Sequence, residues 1–471
     1  MEFKADEAEA CRLALVVVDD LRGRGPTGHD FPLTGLLSSV GVPNPPLFIY
    51  LLALPLFLIR DPFGAAVFIA LSNVAAVGIC YLLGRRYFSP FVALASASLY
   101  ALAPWAVIFS RKIWAQDLLP VFVGGFLLAA HAFLVDRRPR SLAWLLVLAA
   151  VAMQLHLSAL ILAGALVGLL AAGRTAIRAR WLALGTGAAL LLCAPYLLHL
   201  ARTRGGDFAH LGAWRAESAR LVPAGQRLLL ALRYPLAVSG ADETAELVGS
   251  QAGLVFPFAI ATGLAGFGGL IWLCIRDRAS PAFSARLMLA AWFVLPTLGL
   301  ALTGAVPFIH YFVVLYPLVF LGLAAALEWL RQRWPAAAWA LLAACLSGYA
   351  WLDGSLYRAI ASRGGAPADY GVAYAHKAAA INFVLEDGPG GLPVLLDGAH
   401  PGGIVPPEYR FLLDLKSRET RWAPTGEFPV RRYLLIDAFR FTLTPAGLAG
   451  TRYLRRRQFG PLTVYALPPP T

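Results

Sequence analysis

The segment FGAAVFIALSNVAAVGICYLL, residues 63–83, is apolar or small around a single polar break at Ser72-Asn73, and it runs straight into Gly84-Arg85-Arg86. A run of about twenty such residues has the length a helix needs to cross a bilayer, and the arginine pair marks where the crossing stops. The pattern repeats along the chain. Of 471 residues, 59% are hydrophobic and 14% charged, and the mean hydropathy is +0.65, which no ordinary water-soluble domain shows. Further apolar stretches lie near 90–109, 117–135, 141–155, 157–172, 181–199, 253–275, 286–303, 307–327 and 335–351. Together they predict about ten crossings, with the 141–172 block divided at Gln154 and His156.

Residues 45–60 are apolar too, but they carry Pro45, Pro46 and Pro55 and are short for a span, so they read as an interfacial segment. Charge supports this choice. With 63–83 crossing inward, the inner loops hold Arg85 and Arg86, then Arg137, Arg138 and Arg140, then Arg174, Arg178 and Arg180. The next two hold Arg276, Arg278 and Arg286, then Arg331 and Arg333. Every short arginine-rich loop then faces the cytoplasm, and counting 45–60 as a span would break the pattern. The formal net charge of +13 is therefore an orientation signal and gives no support for nucleic-acid binding.

This topology places residues 1–44, 110–117, the loop near 200–252 and everything after 352 outside. An outer start with no signal peptide raises the expectation that one further span precedes the sequence. The chain divides into a first outer segment, 1–62, a transmembrane core, 63–352, and a small outer domain, 353–471. In the last, composition shifts to Gly, Pro and charge. A helix near 368–386 and strands at 393–397, 433–437 and 462–467 predict a small α/β fold. Five cysteines lie scattered without paired spacing, so neither a disulfide framework nor a metal site follows.

Asp6 and Glu7 stand side by side in the outer segment. Adjacent carboxylates at a membrane boundary are what an enzyme needs to take a proton from an acceptor hydroxyl. The spacing of Asp6, Ala10, Leu13, Ala14, Val17 and Leu21 predicts a helix lying on the membrane with Asp6 at the head of its apolar face. The plainer reading is that Asp6, Glu7 and Glu9 are first-turn acids that stabilise a helix N-terminus.

A second outer site is Ser110-Arg111-Lys112-Ile113-Trp114-Ala115-Gln116-Asp117. Two cations and an acid in one turn suit a phosphate, with the carboxylate orienting it or a metal. The competing reading makes Arg111 and Lys112 interfacial anchors and Trp114 part of an aromatic belt, which leaves Asp117 at the head of a span unexplained. His156 in the 141–172 turn, and His310-Tyr311 at the head of 307–327, complete the set as candidate lining of the same outer site. The sequence holds no GxGxxG feeding a helix, no GxxxxGK[ST], no HExxH and no GxSxG, so soluble nucleotide chemistry is unsupported.

Taken together, Lys4-Ala5-Asp6-Glu7-Ala8, Asn44-Pro45-Pro46-Leu47-Phe48-Ile49-Tyr50, Ala103-Pro104-Trp105 with Ser110-Arg111, and Asp117 resemble the GT-C membrane glycosyltransferases. The likeness is to the bacterial branch similar to protein O-mannosyltransferases, lipid A aminoarabinose transferases and lipopolysaccharide-core galacturonosyltransferases. It covers residues 1 to about 170, and His310-Tyr311 and Phe459-Gly460-Pro461-Leu462 more loosely. The resemblance implies an all-helical polytopic fold with an outer domain. It implies Asp6 as catalytic base with Glu7 as partner, and Arg111, Lys112 and Asp117 at the donor phosphate. The expected reaction is inverting transfer from a polyprenyl-phosphate sugar to a lipid, glycan or protein acceptor, on the outer face of the inner (plasma) membrane and among membrane lipids. The sequence requires no cofactor and is compatible with a divalent cation. The alternatives are a polytopic lipid or small-molecule transporter and an inactive scaffold of the same fold.

Overall fold

A computed structural model describes residues 1–24, 31–38, 40–209, 222–237, 252–276, 278, 283–303, 308–366, 370–386, 393–397, 400–404, 406–420, 433–439 and 455–466. Much of the predicted 200–252 outer loop lies outside these residues. The chain forms two compact units, one of Leu13–Asp353 and one of Met1–Arg12 with Gly354–Thr471.

In the first unit the described residues of the segments read as crossings are mostly helical. The helices are α2 (Leu47–Leu58), α3 (Pro62–Tyr87), α4 (Pro90–Ala101), α5 (Pro104–Phe109), α6 (Leu119–Leu134), α7 (Ser141–Leu155), α8 (Ile161–Ala172) and α9 (Ala179–Thr203). They continue as α10 (Ala224–Ala237), α11 (Ala252–Arg276), α12 (Phe283–Thr303), α13 (Leu318–Arg333) and α14 (Pro335–Arg363), and α1 (Ala5–Leu21) precedes them. Among the described residues four helical stretches are long and apolar enough to cross a bilayer: Pro62–Tyr87, Ala115–Leu134, Ala179–Thr203 and Pro335–Arg363. Ile309–Leu315 with Leu318–Arg333 makes a fifth, bent by 57° where Pro317 offers no N–H. The other apolar helices are shorter. The stretch read as one crossing over 90–109 is two helices, because Pro104 restarts the chain as α5.

The arginine-rich ends gather, as the topology requires. Arg86 pairs with Asp136, Arg137 Nη1 donates to Thr175 Oγ1 at 3.4 Å, and Arg286 Nη2 donates to Tyr87 O at 3.5 Å. Arg331 lies over Phe91 at 5.1 Å. At the other extremity of α2, buried Asp19 receives both Arg60 guanidinium nitrogens, at 2.5 and 3.1 Å, fixing the end of α1 to the segment after α2. Of the predicted α1 face, Ala10, Ala14 and Val17 are buried, but Asp6 at its head and Leu21 at its end are exposed. At 100° per residue Asp6 and Glu7 point to different sides, and Glu7 takes the buried one.

In the second unit a five-stranded sheet has the order β4-β3-β5-β7-β6, from β3 (Pro393–Asp397), β4 (His400–Ile404), β5 (Tyr433–Asp437), β6 (Arg455–Phe459) and β7 (Leu462–Ala466). A separate two-stranded pair joins β1 (Gly365–Ala366) to β2 (Gly371–Val372). Only β3 and β5 run parallel; the neighbouring pairs are antiparallel. Along β7, Leu462, Val464 and Ala466 are buried in strict alternation. The β6–β7 turn uses Gly460 at φ +57°, where a side chain would be strained and would meet His376 at 2.8 Å. Helix α15 (Tyr374–Glu386) packs on β6 and β7, with Phe383 and Phe459 5.9 Å apart, and α16 (Pro407–Thr420) packs against α15.

Helices α11 and α13 cross at glycines. A Cβ on Gly266 would stand 2.6 Å from Val319 O, and one on Gly322 would run into Gly266 O, whereas Gly268 faces open space. Close backbone approach through small residues replaces the hydrophobic drive that lipid cannot give. Gly322→Leu is therefore expected to destabilise the purified protein by about 1–3 kcal/mol, with Gly268→Ala near neutral, read as melting temperatures in detergent. Equal melting temperatures would remove the crossing from the account.

Candidate functional site

The turn between α5 and α6 is built by its prolines and by aromatic packing. Pro104 opens α5, Pro120 opens α6, and Trp105 stacks on Phe109 with centroids 4.8 Å apart. Backbone turns Arg111 N to Ile108 O and Lys112 N to Phe109 O, both 3.1 Å, reverse the chain. Lys112 is buried, its Nζ 4.1 Å above the centre of Trp114 and 5.9 Å from that of Phe109. Aromatic faces offer an ammonium a partner as it sheds water, and an anion that arrives at such a group meets it at low dielectric. Arg111, next in the turn, is half-buried.

Asp117 sits on the short 3₁₀ turn Ala115–Leu118 and is 1% exposed. Asn73, buried in the middle of α3, fixes its backbone: Nδ2 donates to Asp117 O and to Ile69 O, each at 3.0 Å. Asn73 is the only amide side chain in the 63–83 span, and that isolation is the signal that singles it out.

Three further predicted residues converge on this turn. Trp114 meets His310 edge-on at 5.5 Å, His310 lies 5.9 Å from His156 and 4.7 Å from Tyr311, and His156 lies 5.4 Å from Tyr311. Phe308 stacks on His310 at 5.7 Å. The 3₁₀ turn Ile309–Leu315 carries His310 and Tyr311, and His156 follows the last residue of α7. His156 Nδ1 accepts the Ser158 N–H at 3.2 Å, which leaves the proton of the neutral ring on Nε2. Burial pushes His156 down to about 4, so it is neutral at physiological pH.

Asp6 and Glu7 belong to the other unit. Asp6 is exposed on the first turn of α1, whereas Glu7 is buried and its Oε2 accepts the Lys4 N–H at 3.0 Å. That is the N3 carboxylate of a helix start reaching back to the N-cap amide. The acidic pair thus divides into an open carboxylate and one that holds the turn. Among the described residues no group of three or more His, Cys, Asp or Glu is placed to hold a metal ion.

Removing the Asn73 amide would leave the Asp117 carbonyl without that donor inside the core. Asn73→Leu is expected to lower stability by about 1–3 kcal/mol, measured by thermal unfolding in detergent. His156→Gln is expected to leave the pH profile of any activity unshifted between about pH 5.5 and 8, because the ring carries no charge to lose there. A profile whose inflection in that window disappears in the variant would contradict the assignment.

Residues 43–199 match the family model described as dolichyl-phosphate-mannose-protein mannosyltransferase. No curated protein matches the sequence. Among solved structures, ArnT from Cupriavidus metallidurans bound to undecaprenyl phosphate is similar over 99% of this chain and 94% of that one, with a TM-score of 0.57 at 15% identity. Its apo form gives 0.56 at 14% identity over the same shares. An Archaeoglobus fulgidus oligosaccharyltransferase gives 0.46 at 16% identity over 82% of this chain and 52% of that one. The chain has the ArnT-like GT-C fold.

Proposed function

We propose that the protein is an inverting membrane glycosyltransferase that moves a sugar from a polyprenyl-phosphate donor to a hydroxyl of a lipid, glycan or protein acceptor on the outer face of the inner membrane. The observation that carries this reading is the buried, aromatic-backed Lys112 in one turn with Arg111 and Asp117, walled by His156, His310 and Tyr311. A cation desolvated at the head of an apolar helix suits a phosphate that arrives on a lipid, because the lipid tail stays in the hydrocarbon. The match of residues 43–199 to a family of dolichyl-phosphate-mannose transferases supports it. So does the fold shared with an ArnT structure that holds undecaprenyl phosphate.

In this reading Asp6 takes the proton of the acceptor hydroxyl. The oxygen attacks the anomeric carbon, the bond from that carbon to the phosphate oxygen breaks, and its electron pair leaves on polyprenyl phosphate. Negative charge grows on the phosphate as the bond breaks, so Lys112 and Arg111 act most strongly in the transition state. Asp117 orients the phosphate-binding turn, and Glu7 holds the helix start that presents Asp6. His156, neutral, serves as a hydrogen-bonding wall group. The cations meet the phosphate charge directly, and a divalent ion, where bound, would add to the same electrostatic effect.

Two substitutions separate the roles. Asp6→Asn is expected to lower kcat by about 10²–10⁴-fold with donor binding retained. Lys112→Met is expected to lower kcat/KM for the donor by about 10²–10³-fold. Both are read as product formed in proteoliposomes from polyprenyl-phosphate sugars at equal protein. Full transfer by Asp6→Asn would place the base elsewhere, and full transfer by Lys112→Met would remove the phosphate site from this turn.

A further inference from the structure

Residues 1–4 form an arm that the C-terminal body grips at successive points. Tyr374 N donates to Met1 O at 3.0 Å. The Phe3 ring is fully buried, edge-on to Tyr374 at 5.4 Å and 5.8 Å from Phe411. Lys377 Nζ donates to Phe3 O at 2.8 Å and to Glu408 Oε1 at 3.1 Å. Lys377 and Glu408 are each 3% exposed, and Lys377 also lies 5.2 Å from the centre of the Tyr409 ring.

The direction of these contacts is informative. Lys377 stands on α15 and Glu408 on α16, so an ordinary packing pair would only join those two helices. Its ammonium instead reaches past both to the backbone of Phe3, one residue before the Lys4 amide that Glu7 caps. From there hydrogen bonds run through to Asp6: Lys4 N is held by Glu7, Ala8 N donates to Lys4 O at 3.0 Å, and α1 begins at Ala5. The lysine offers three N–H groups and no acceptor, and a carboxylate on one with a carbonyl on another is the pairing that makes burial of its charge tolerable.

We propose that Lys377 and Glu408 are positioning residues for Asp6: the buried pair fastens the Phe3 carbonyl and so fixes where the first turn of α1 holds its carboxylate. This rests on the reading of Asp6 as the base. It gives the C-terminal body a part in the chemistry. An arm freed at Phe3 leaves Asp6 intact but badly aimed, and small misplacements at a reacting centre are costly in rate.

The test uses the full-length protein in proteoliposomes and the double variant Lys377→Met/Glu408→Leu, which removes both charges together so that neither is left buried alone. The expected result is a fall in kcat of about tenfold or more with the donor KM within about twofold, because geometry is lost and the phosphate site is untouched. Amide hydrogen exchange is read on the same samples. Residues 3–8 are expected to exchange at least about tenfold faster, while β5 and β7 exchange as in the wild type. Should β5 and β7 also lose protection, Phe3→Ala, which keeps the ion pair and removes the buried ring from the arm, carries the same two readouts. An unchanged kcat, or a lowered kcat with unchanged exchange at residues 3–8, overturns the positioning role. Asp6→Asn distinguishes the two levels: if it transfers normally, the base assignment fails and takes this proposal with it. If it is inactive while the double variant is fully active, the positioning role alone fails.

Discussion

Hydrocarbon supplies no hydrogen bonds, and this constraint shapes the molecule from the backbone outward. Each crossing segment satisfies its own amides as a helix, and several polar side chains inside the bundle end on neighbouring backbone. Tyr87 donates its hydroxyl to Leu127 O at 2.7 Å, Trp292 its indole to Val314 O at 3.1 Å, and Asn73 its amide to two carbonyls. The charges are sorted by the same requirement. Arg86, Arg137, Arg286 and Arg331 collect on Asp136, Thr175, Tyr87 and Phe91, while Lys112 stands with Trp114 and the His156–His310–Tyr311 group.

Sorting of this kind creates the chemical opportunity. A buried cation is unfavourable unless something compensates it, and here aromatic faces hold Lys112. The same dry surroundings that make the cation expensive magnify its pull on a phosphate. The carboxylate proposed as base faces the opposite requirement: it must reach an acceptor hydroxyl, and Asp6 is exposed while its neighbour Glu7 is committed to the helix start.

Long apolar periodicity made the helical segments legible, and α2, which carries Pro55, is among the shorter apolar helices. Sustained apolarity hides breaks, however. Neither the interruption before Pro104 nor the 57° bend at Pro317 altered hydropathy enough to shorten the predicted crossings. The alternation Leu462-Val464-Ala466 carried its strand, and a glycine followed by proline marked the preceding turn. His156, His310 and Tyr311 could be nominated only as separate boundary residues, since helix tilt and packing decide whether they meet. The exposure of Asp6 was not legible because α1 is buried on several sides, so spacing alone leaves open which of Asp6 and Glu7 turns inward. Lys377 and Glu408 gave no signal at all: nothing in a helix sequence foretells a partner 374 positions away.

The proposed reaction cleaves a polyprenyl-phosphate sugar and hands its sugar to an acceptor. The measurement that bears on it most directly is the fate of a doubly labelled donor, with distinct labels in the sugar and the lipid, in sealed proteoliposomes containing the protein and candidate acceptors. The proposed transferase parts the labels, free polyprenyl phosphate accumulating in step with a glycosylated product of opposite anomeric configuration. Donor that crosses the bilayer with both labels still joined, or that stays intact with every acceptor, would contradict it.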